Sequence, residues 1–250
     1  MSSDLIALLE AVAKGGISVV EAAERLRATR DTDLGFAVVD DERAARTGTP
    51  EVVYGAGKSA EQIAALLDHL VSKGQPALAT RVEPEKAARV VELCGATHEP
   101  VPRMVWRVPE GYEPPAREGA VAVVAAGTSD LPVAEEAART AEWYGWRVAR
   151  VHDVGVAGLH RLLARLPVLR EADVLIVVAG MEGALPSVVA GLLPQPVVAV
   201  PTSVGYGSHL GGLTPLFAML NSCASGITVV NVDNGFGAAQ AAHRILAGKR

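Results

Sequence analysis

The chain has 250 residues, of which 50% are hydrophobic and 20% charged, and its formal net charge is −5 at pH 7. This composition excludes a disordered or fibrous protein, and without a basic stripe with interleaved aromatic residues we expect no nucleic-acid partner. No apolar run reaches the roughly 18 residues of a membrane span, and the acidic start lacks a signal peptide's basic flank. Two cysteines, Cys94 and Cys223, make no disulfide framework, so we expect a cytoplasmic protein.

The distribution of charge divides the sequence near residue 119. Residues 1–119 hold 19 acidic and 14 basic residues, whereas residues 120–250 hold nine of each. A charge-poor segment is typical of a parallel sheet covered by helices. The intervening PEGYEPPAREG, at 109–119, is rich in Pro and Gly and has no apolar period, which indicates a linker. We predict a smaller N-terminal α/β domain over 1–113 and a second domain over 120–250.

Strand and helix patterns alternate in the second domain. Short apolar runs predict five strands, at 121–126, 146–151, 173–179, 197–200 and 227–232. Helical patterns separate them, so the sheet should be parallel, and five strands fit a flavodoxin-like doubly wound order. In such sheets ligands bind at the carboxyl ends of the strands, near the switch in strand order. The loops that follow the strands are therefore candidate ligand loops.

These loops are rich in glycine, which lets backbone amides approach a ligand closely. GTSD at 127–130 leads into a helix and offers amides at a positive helix end, which suits a phosphate. Tight turns and helix capping explain the same residues without a ligand, but five such loops at one edge favour a nucleotide-like site. The candidate binding residues here are Gly127, Thr128, Ser129, Asp130, Asp153, Gly155, Gly180, Met181, Gly183, Ser203, Gly205, Tyr206, Gly207, Asp233 and Asn234.

Two residues in the second domain are candidates for chemistry. Glu182 is a lone carboxylate in an apolar loop, where we expect poor solvation and a raised pKa. Cys223 should lie near a helix end beside the glycine loops, and its small polar neighbours Asn221 and Ser222 favour an accessible thiol, whose thiolate would be a strong nucleophile. Most free cysteines are instead buried small hydrophobes, which is what we expect of Cys94.

The motifs together resemble a known family. GTSD, AGMEGALPSVVAGL, VAVPTSVGYG, MLNSCASG and VVNVDNGFG are similar to LarB, the carboxylase/hydrolase of nickel-pincer cofactor biosynthesis. The second domain of that family is similar to the purine-pathway aminoimidazole ribonucleotide carboxylases and mutases. Upstream, DLGFAVVDDERAARTGTPEVVYGAGKSAEQI resembles a signature of the family that the purine enzymes lack. The resemblance covers essentially the whole chain and favours the pincer pathway.

The resemblance implies a specific activity. The pyridinium ring of nicotinic acid adenine dinucleotide would be carboxylated at C5, from carbon dioxide or bicarbonate, and its phosphoanhydride hydrolysed to release AMP. Cys223 matches the family's nucleophile, and Glu182 is our candidate for the proton transfer. The hydrolysis leads us to expect Mg²⁺, with Asp130, Asp153, Asp233 and Glu182 as possible ligands between which spacing does not decide. Relatives form octamers, so we also expect a homo-octamer.

The N-terminal signature contains cations that are suited to a carboxylate or diphosphate. The residues concerned are Arg43, Arg46, Thr47, Gly48 and Lys58, for which a solvated face is the alternative. The sequence departs from the family here, since Asp41 and Glu42 stand where relatives carry a His pair. This exchange of potential cations for anions questions any family role for the pair.

Two other functions stay open. A purine-type carboxyaminoimidazole ribonucleotide mutase would use a loop histidine, although we expect His152 and His160 to be surface or satisfied residues. Such a mutase predicts indifference to alkylation of Cys223. A non-catalytic nucleotide-binding module would bind dinucleotide without turnover, and it would need neither Glu182 nor Cys223.

Overall fold

The computed structural model describes residues 3–28 and 31–248. The chain forms two compact units, and each is an α/β arrangement. Unit 1 comprises Met1–His98 and Val105–Tyr112, and unit 2 comprises Glu99–Met104 and Glu113–Arg250. Among the described residues, no helix has the length and apolar character that crossing a membrane requires.

Unit 1 is built on a four-stranded mixed sheet with the strand order β3-β4-β6-β5. β3 and β4 are parallel, and β4 and β6 are antiparallel. A separate antiparallel hairpin, β1-β2, precedes this sheet. The strands are β1 (Asp31–Asp33), β2 (Val38–Asp40), β3 (Val52–Tyr54), β4 (Ala77–Thr80), β5 (Thr97–Glu99) and β6 (Met104–Arg107), and the helices are α1 (Ser3–Ala13), α2 (Val19–Ala28), α3 (Arg43–Thr47), α4 (Ala60–Ser72) and α5 (Pro84–Cys94).

Local sequence signals explain the ends of α4 and α5, the two helices that cover this sheet. Ser59 and Gln62 form a reciprocal capping box at the start of α4. Proline occupies the first position of α5, and a left-handed glycine at residue 95 ends it. Cys94 is buried on α5, where its Sγ donates to the carbonyl of Val90 at 3.2 Å, so the expectation of a buried, structural thiol is confirmed.

Unit 2 contains the predicted five-stranded parallel sheet. Its order is β11-β10-β9-β7-β8, so the third and first strands of the unit are neighbours at its centre, as in a flavodoxin-like fold. The strands are β7 (Ala120–Ala125), β8 (Arg147–Val151), β9 (Val174–Ala179), β10 (Val197–Pro201) and β11 (Ile227–Val229), and the helices are α6 (Leu131–Trp143), α7 (Leu159–Arg170), α8 (Leu185–Leu192), α9 (Leu213–Leu220) and α10 (Gly235–Ala247).

Both faces of this sheet are covered, which explains the low charge of its strands. β9 is buried along its full length. Alanines of α6 and α10 cover one face, and apolar residues of α7, α8 and α9 cover the other. β11 ends at Val229, three residues earlier than predicted. The amides of Val230 and Asp233 still donate to the carbonyls of Ala199 and Pro201 on β10, but three residues here span two on β10, so the regular strand pairing is lost.

Candidate functional site

A cavity of about 290 Å³ lies at the carboxyl edge of the unit 2 sheet. It lies where β7 and β9 are adjacent, the switch point at which doubly wound sheets bind ligands. The loops after β7, β8, β9 and β10 all contribute to its wall. The lining residues are Ala126, Gly127, Ser129, Asp130, Gly155, Val156, Ala157, Arg161, Ala179, Gly180, Met181, Glu182, Ala184, Leu185 and Val204.

Asp130 is the buried carboxylate of this cavity, with 3% of its surface exposed. One oxygen accepts the amide of Gly127 at 3.0 Å, and the other accepts the hydroxyl of Thr202 at 2.7 Å. Burial raises the pKa of Asp130, while the hydrogen bonds from Thr202 and Gly127 offset part of the rise. The side chain therefore fastens the loop after β7 to the loop after β10.

Close backbone contacts bring the neighbouring loops together, and they require glycine. A Cβ on Gly180 would lie 2.2 Å from the carbonyl oxygen of Val204 and 2.7 Å from the hydroxyl of Thr202. One on Gly205 would overlap the ring of His209, and one on Gly183 would come within 2.8 Å of Pro215. Gly180, Gly183 and Gly205 thus allow the loops to pack closely. Gly180 also lines the cavity, as do Gly127 and Gly155.

The fifth loop, after β11, joins the same edge. Asp233 accepts the amide of Ser203 at 2.8 Å, and its charge acts on Asp130. Asn234 caps α10 by accepting the amide of Gly237 at 2.8 Å. Ser203, Asp233 and Asn234 thus lie in the loops around the cavity without lining it, as do the exposed Thr128, Tyr206 and Gly207.

Glu182 lines the cavity, but the prediction that its side chain is poorly solvated is wrong. The side chain is exposed to solvent, so the poor solvation that was expected of it is absent. The turn of the chain is responsible, because Met181 adopts a left-handed conformation with φ of 47° and Gly183 one of 70°, which carries the carboxylate outwards. The buried carboxylate that we expected at Glu182 is instead Asp130.

Cys223 has the predicted exposed thiol, between the end of α9 and the start of β11. It is not among the residues that line the cavity. Its neighbour Ser222, however, has its hydroxyl 2.7 Å from that of Ser187 in the first turn of α8, two residues beyond the lining residue Leu185. Asn221 donates to the carbonyl of Phe217 at 2.8 Å and closes α9. The segment that carries the thiol therefore runs beside the helix that forms one wall of the cavity.

Sequence reasoning missed one cation of this site. Arg161, on α7, lines the cavity and forms an ion pair with Asp153 at 2.6 Å. Asp153 itself has a left-handed φ of 57°. A basic residue in the first turn of the helix after a ligand loop was the available signal. His152 does not line the cavity, and its Nε2 lies 3.5 Å from a carboxylate oxygen of Glu135.

In unit 1, the cations predicted to bind anions contact neighbouring groups. Arg46 pairs with Asp40, Arg43 lies 3.3 Å from Glu51, and the ammonium of Lys58 donates to the carbonyl of Tyr54 at 3.1 Å. The hydroxyl of Thr47 donates to the carbonyl of Arg43, and Gly48 ends α3 in the left-handed conformation.

Asp41, one of the two acidic residues that stand where relatives carry a His pair, has a structural role in unit 1. Asp41 accepts the hydroxyl of Thr32, and its other oxygen lies 2.7 Å from Nε2 of His69. Burial raises the pKa of Asp41, but the hydrogen bonds from Thr32 and His69, with the charges of His69 and Lys73, outweigh burial and lower it. Asp41 joins the β1-β2 hairpin to α4, whereas Glu42 is exposed.

The carboxylates of unit 2 do not fit a preformed Mg²⁺ site. Asp130 and Asp233 accept hydrogen bonds from protein donors, and Asp153 is paired with Arg161. Within residues 3–28 and 31–248, no group of three His, Cys, Asp or Glu side chains is arranged to hold a metal ion.

Comparison with known proteins agrees with this geometry. Residues 31–108 match the family model for a LarB/PurE-like N-terminal domain, and residues 120–250 match that for AIR carboxylase. An uncharacterised protein of Methanocaldococcus jannaschii is 42% identical over 95% of both chains. An N5-carboxyaminoimidazole ribonucleotide mutase of the same organism is 35% identical over 51% of this chain and 78% of its own. One from Pyrococcus horikoshii is 34% identical over 50% of this chain and 71% of its own.

The two matched families divide the chain as the resemblance implies. The mutases cover about half of it, whereas the N-terminal match covers the segment that contains the signature at 33–63. Together they identify a carboxylase/mutase type of enzyme. The chain thus belongs to the LarB family, with a C-terminal AIR carboxylase domain.

Proposed function

We propose that the protein carboxylates the pyridinium ring of nicotinic acid adenine dinucleotide at C5 and hydrolyses the phosphoanhydride. The products are pyridinium-3,5-biscarboxylic acid mononucleotide and AMP, for synthesis of a nickel-pincer cofactor. The observation that carries the proposal is an exposed thiol beside the wall of a switch-point cavity, in a chain with the LarB-type N-terminal domain. An ordinary mutase would need neither feature.

The proposed chemistry requires a nucleophile because a pyridinium ring is electron-poor. The thiolate of Cys223 adds at C4, and the ring becomes an enamine whose C5 attacks carbon dioxide. A base then removes the C5 proton, and expulsion of the thiolate restores the aromatic ring. Carboxylation thus releases one proton and needs no oxidant. A separate addition of water cleaves the phosphoanhydride.

Residues of the cavity have roles that suit this series of reaction steps. Glu182 is an exposed carboxylate on the wall, so it can take the C5 proton and pass it to solvent. Arg161 supplies a cation for the diphosphate, and amides such as that of Ser129 lie at the start of α6. Asp130 holds the loops in position through Gly127 and Thr202.

Assembly is a second part of the proposal. α9 presents Leu213, Phe217 and Leu220 to solvent at helical spacing, with exposed fractions of 42%, 57% and 60%. This apolar surface adjoins the Cys223 segment in the sequence. We propose that copies of the chain associate through this surface of α9 into a homo-octamer, and that the assembly brings the thiol of Cys223 to a cavity.

The decisive experiment incubates the protein with nicotinic acid adenine dinucleotide and bicarbonate, with and without Mg²⁺, and follows small molecules by mass spectrometry. We expect AMP and a mononucleotide that is one carboxyl group heavier. Cys223→Ser should lower formation of this product by at least about 10³-fold, because the enamine no longer forms. Cys94→Ala is the matched control and should retain activity. A fully active Cys223→Ser protein would refute the mechanism.

The mutase alternative rests on the match to two carboxyaminoimidazole ribonucleotide mutases. It is tested by alkylating the Cys94→Ala protein, in which Cys223 is the remaining cysteine. Loss of dinucleotide turnover on alkylation supports our proposal. Unchanged dinucleotide, together with mutase activity that survives alkylation, would assign the protein to the purine reaction, and dinucleotide binding without turnover would make it a binding module.

A further inference from the structure

Unit 1 contains a group of cations to which the proposed reaction assigns no role. β3 and β4 are parallel, so the loops after them lie at the same edge of the sheet. Lys58 lies in the first of these loops, Arg81 directly follows β4, and Lys86 is in the first turn of α5. The amide of Gly55 donates to the carbonyl of Thr80 at 2.8 Å and links the two loops.

Two of the cations converge on adjacent carbonyl groups. The ammonium of Lys58 donates to the carbonyl of Tyr54 at 3.1 Å, and that of Lys86 donates to the carbonyl of Gly55 at 3.2 Å. Among the described residues, both ammonium groups bind these carbonyls and form no ion pair with a carboxylate. A bound anion would be attracted to both ammonium groups.

An aromatic ring adjoins the cations. Tyr54 is 53% exposed, and the guanidinium carbon of Arg81 lies 5.9 Å from the centre of its ring. Arg81 reaches this position with a left-handed φ of 55°, a conformation that is uncommon for a residue other than glycine. An exposed ring beside cations is the arrangement with which proteins stack a nucleobase and hold its phosphate.

A cavity of about 230 Å³ opens beside the ring, and both Tyr54 and Lys58 line it. Its other walls include the apolar Val38, Val52 and Leu66. Pockets for drug-sized ligands measure roughly 300–1,000 Å³, so this cavity suits a single ring system. Glu51 also lines it, and one of its carboxylate oxygens lies 3.3 Å from the guanidinium of Arg43.

The start of α4 does not supply the anion's ligands. The capping box of Ser59 and Gln62 already binds two of the amides at this helix end, those of Ser59 and Gln62 themselves. Side chains therefore make this site, in contrast to the loop amides at the edge of unit 2.

We propose that unit 1 binds a nucleoside monophosphate, with the phosphate on Lys58, Lys86 and Arg81 and the base between Tyr54 and the adjoining cavity. The binding is independent of the proposed carboxylation. It extends the anion role predicted for Lys58 to a site that also includes Tyr54, from the same signature, and Arg81 and Lys86, which lie outside the signature.

The first test measures AMP binding to the full chain by calorimetry. Lys86→Ala and Tyr54→Leu should each weaken binding about tenfold, whereas Tyr54→Phe should not, because a phenyl ring still stacks. Lys14→Ala is the control, since Lys14 is an exposed lysine of α1 paired with Glu10. Circular dichroism checks that each variant is folded. Wild-type affinity in Lys86→Ala, or inorganic phosphate binding as tightly as AMP, would overturn the proposal.

The second test separates this site from the cavity of unit 2, where AMP would be a reaction product. Photolabelling with 8-azidoadenosine monophosphate is followed by trypsin digestion and mass spectrometry. We expect the label on the peptide 47–58, which contains Tyr54, and we expect Lys86→Ala to reduce it at least fivefold while Cys223→Ser leaves it unchanged. Label confined to 120–250 would overturn the site in unit 1 and leave the proposed reaction intact.

Discussion

Asp130 connects residue chemistry to the shape of the candidate site. Its carboxylate lies in a protein interior, where an unsatisfied charge is costly, and the hydroxyl of Thr202 and the amide of Gly127 supply its hydrogen bonds. The two side chains are 72 positions apart in the sequence. Spacing along the chain therefore gave no sign of this contact, although Asp130 itself could be predicted as a loop residue.

Removing the donor at Thr202 should destabilise unit 2. Thr202→Val keeps the side-chain shape and leaves one oxygen of the buried Asp130 without its hydrogen bond, so we expect the free energy of unfolding to fall by about 1–3 kcal/mol. The pKa of Asp130 should rise further. Urea unfolding measures the loss, and Thr228→Val, at an exposed position of β11, is the control. Equal stability of the two variants would contradict the role of this bond.

Asp41 gives unit 1 a dependence on pH. Its folded-state pKa is lowered, so its contribution to stability is present above the unfolded-state pKa of about 3.9 and is lost as pH falls through the folded value. Asp41→Asn should abolish this contribution, and the free-energy difference from wild type should shrink from about pH 5 to pH 2. Denaturant unfolding across this range measures it. Glu42→Gln, the neighbouring exposed position, should retain the wild-type dependence.

The amino-acid sequence predicted which loop each candidate side chain lies in better than it predicted whether that side chain is exposed to solvent. Glu182 was expected to be poorly solvated from its apolar neighbours, but the left-handed Met181 turns the carboxylate outwards. Cys223 was expected to be accessible from its small polar neighbours, and it is exposed. The difference arises because backbone conformation in a loop, more than neighbouring side chains, sets the direction of a side chain.

At the scale of elements, the alternation of strand and helix in unit 2 was readable because two covered faces require continuous apolar strands. That alternation and the right-handed crossover rule restrict the sheet to a few doubly wound orders, of which the structure has the flavodoxin-like one. The length of β11 could not be predicted, since Val230 and Val232 continue the apolar pattern past Val229, the last residue of the strand. Periodicity identified the elements, while side-chain caps set their ends.

The contact between the loops after β9 and β10 can be tested with two glycines. Gly180→Ala should displace the loop around Val204, because the new Cβ would overlap its carbonyl oxygen, and we expect a loss of at least about 1 kcal/mol. Gly191→Ala is the matched control in α8, where a Cβ meets open space, and it should stabilise the helix by about 0.5–1 kcal/mol. Thermal unfolding compares the two. A neutral Gly180→Ala would show that the loops are not closely packed in solution.

At the scale of the whole molecule, the apolar face of α9 should decide the state of assembly. Phe217→Glu places a charge at the centre of this face, so the association that we propose should be lost and the measured mass should approach that of one 25.9 kDa chain. Light scattering after size exclusion measures it. Val168→Glu, on an exposed position of α7, is the control and should keep the wild-type mass. A monomeric wild-type protein would contradict the proposal.

The packing of the first helix of unit 2 on the last has a consequence for biosynthesis. α6 lies against α10, and its Glu136 accepts the amide of Phe236, 100 positions later. While a ribosome is still making the chain, the alanine face of α6 and this carboxylate have no cover until α10 emerges. Unit 1 can complete its sheet once residue 107 has emerged, because domains fold as units during synthesis. Unit 2 can therefore close its core only after the last helix has emerged, and a nonsense codon before residue 235 yields a product that lacks α10.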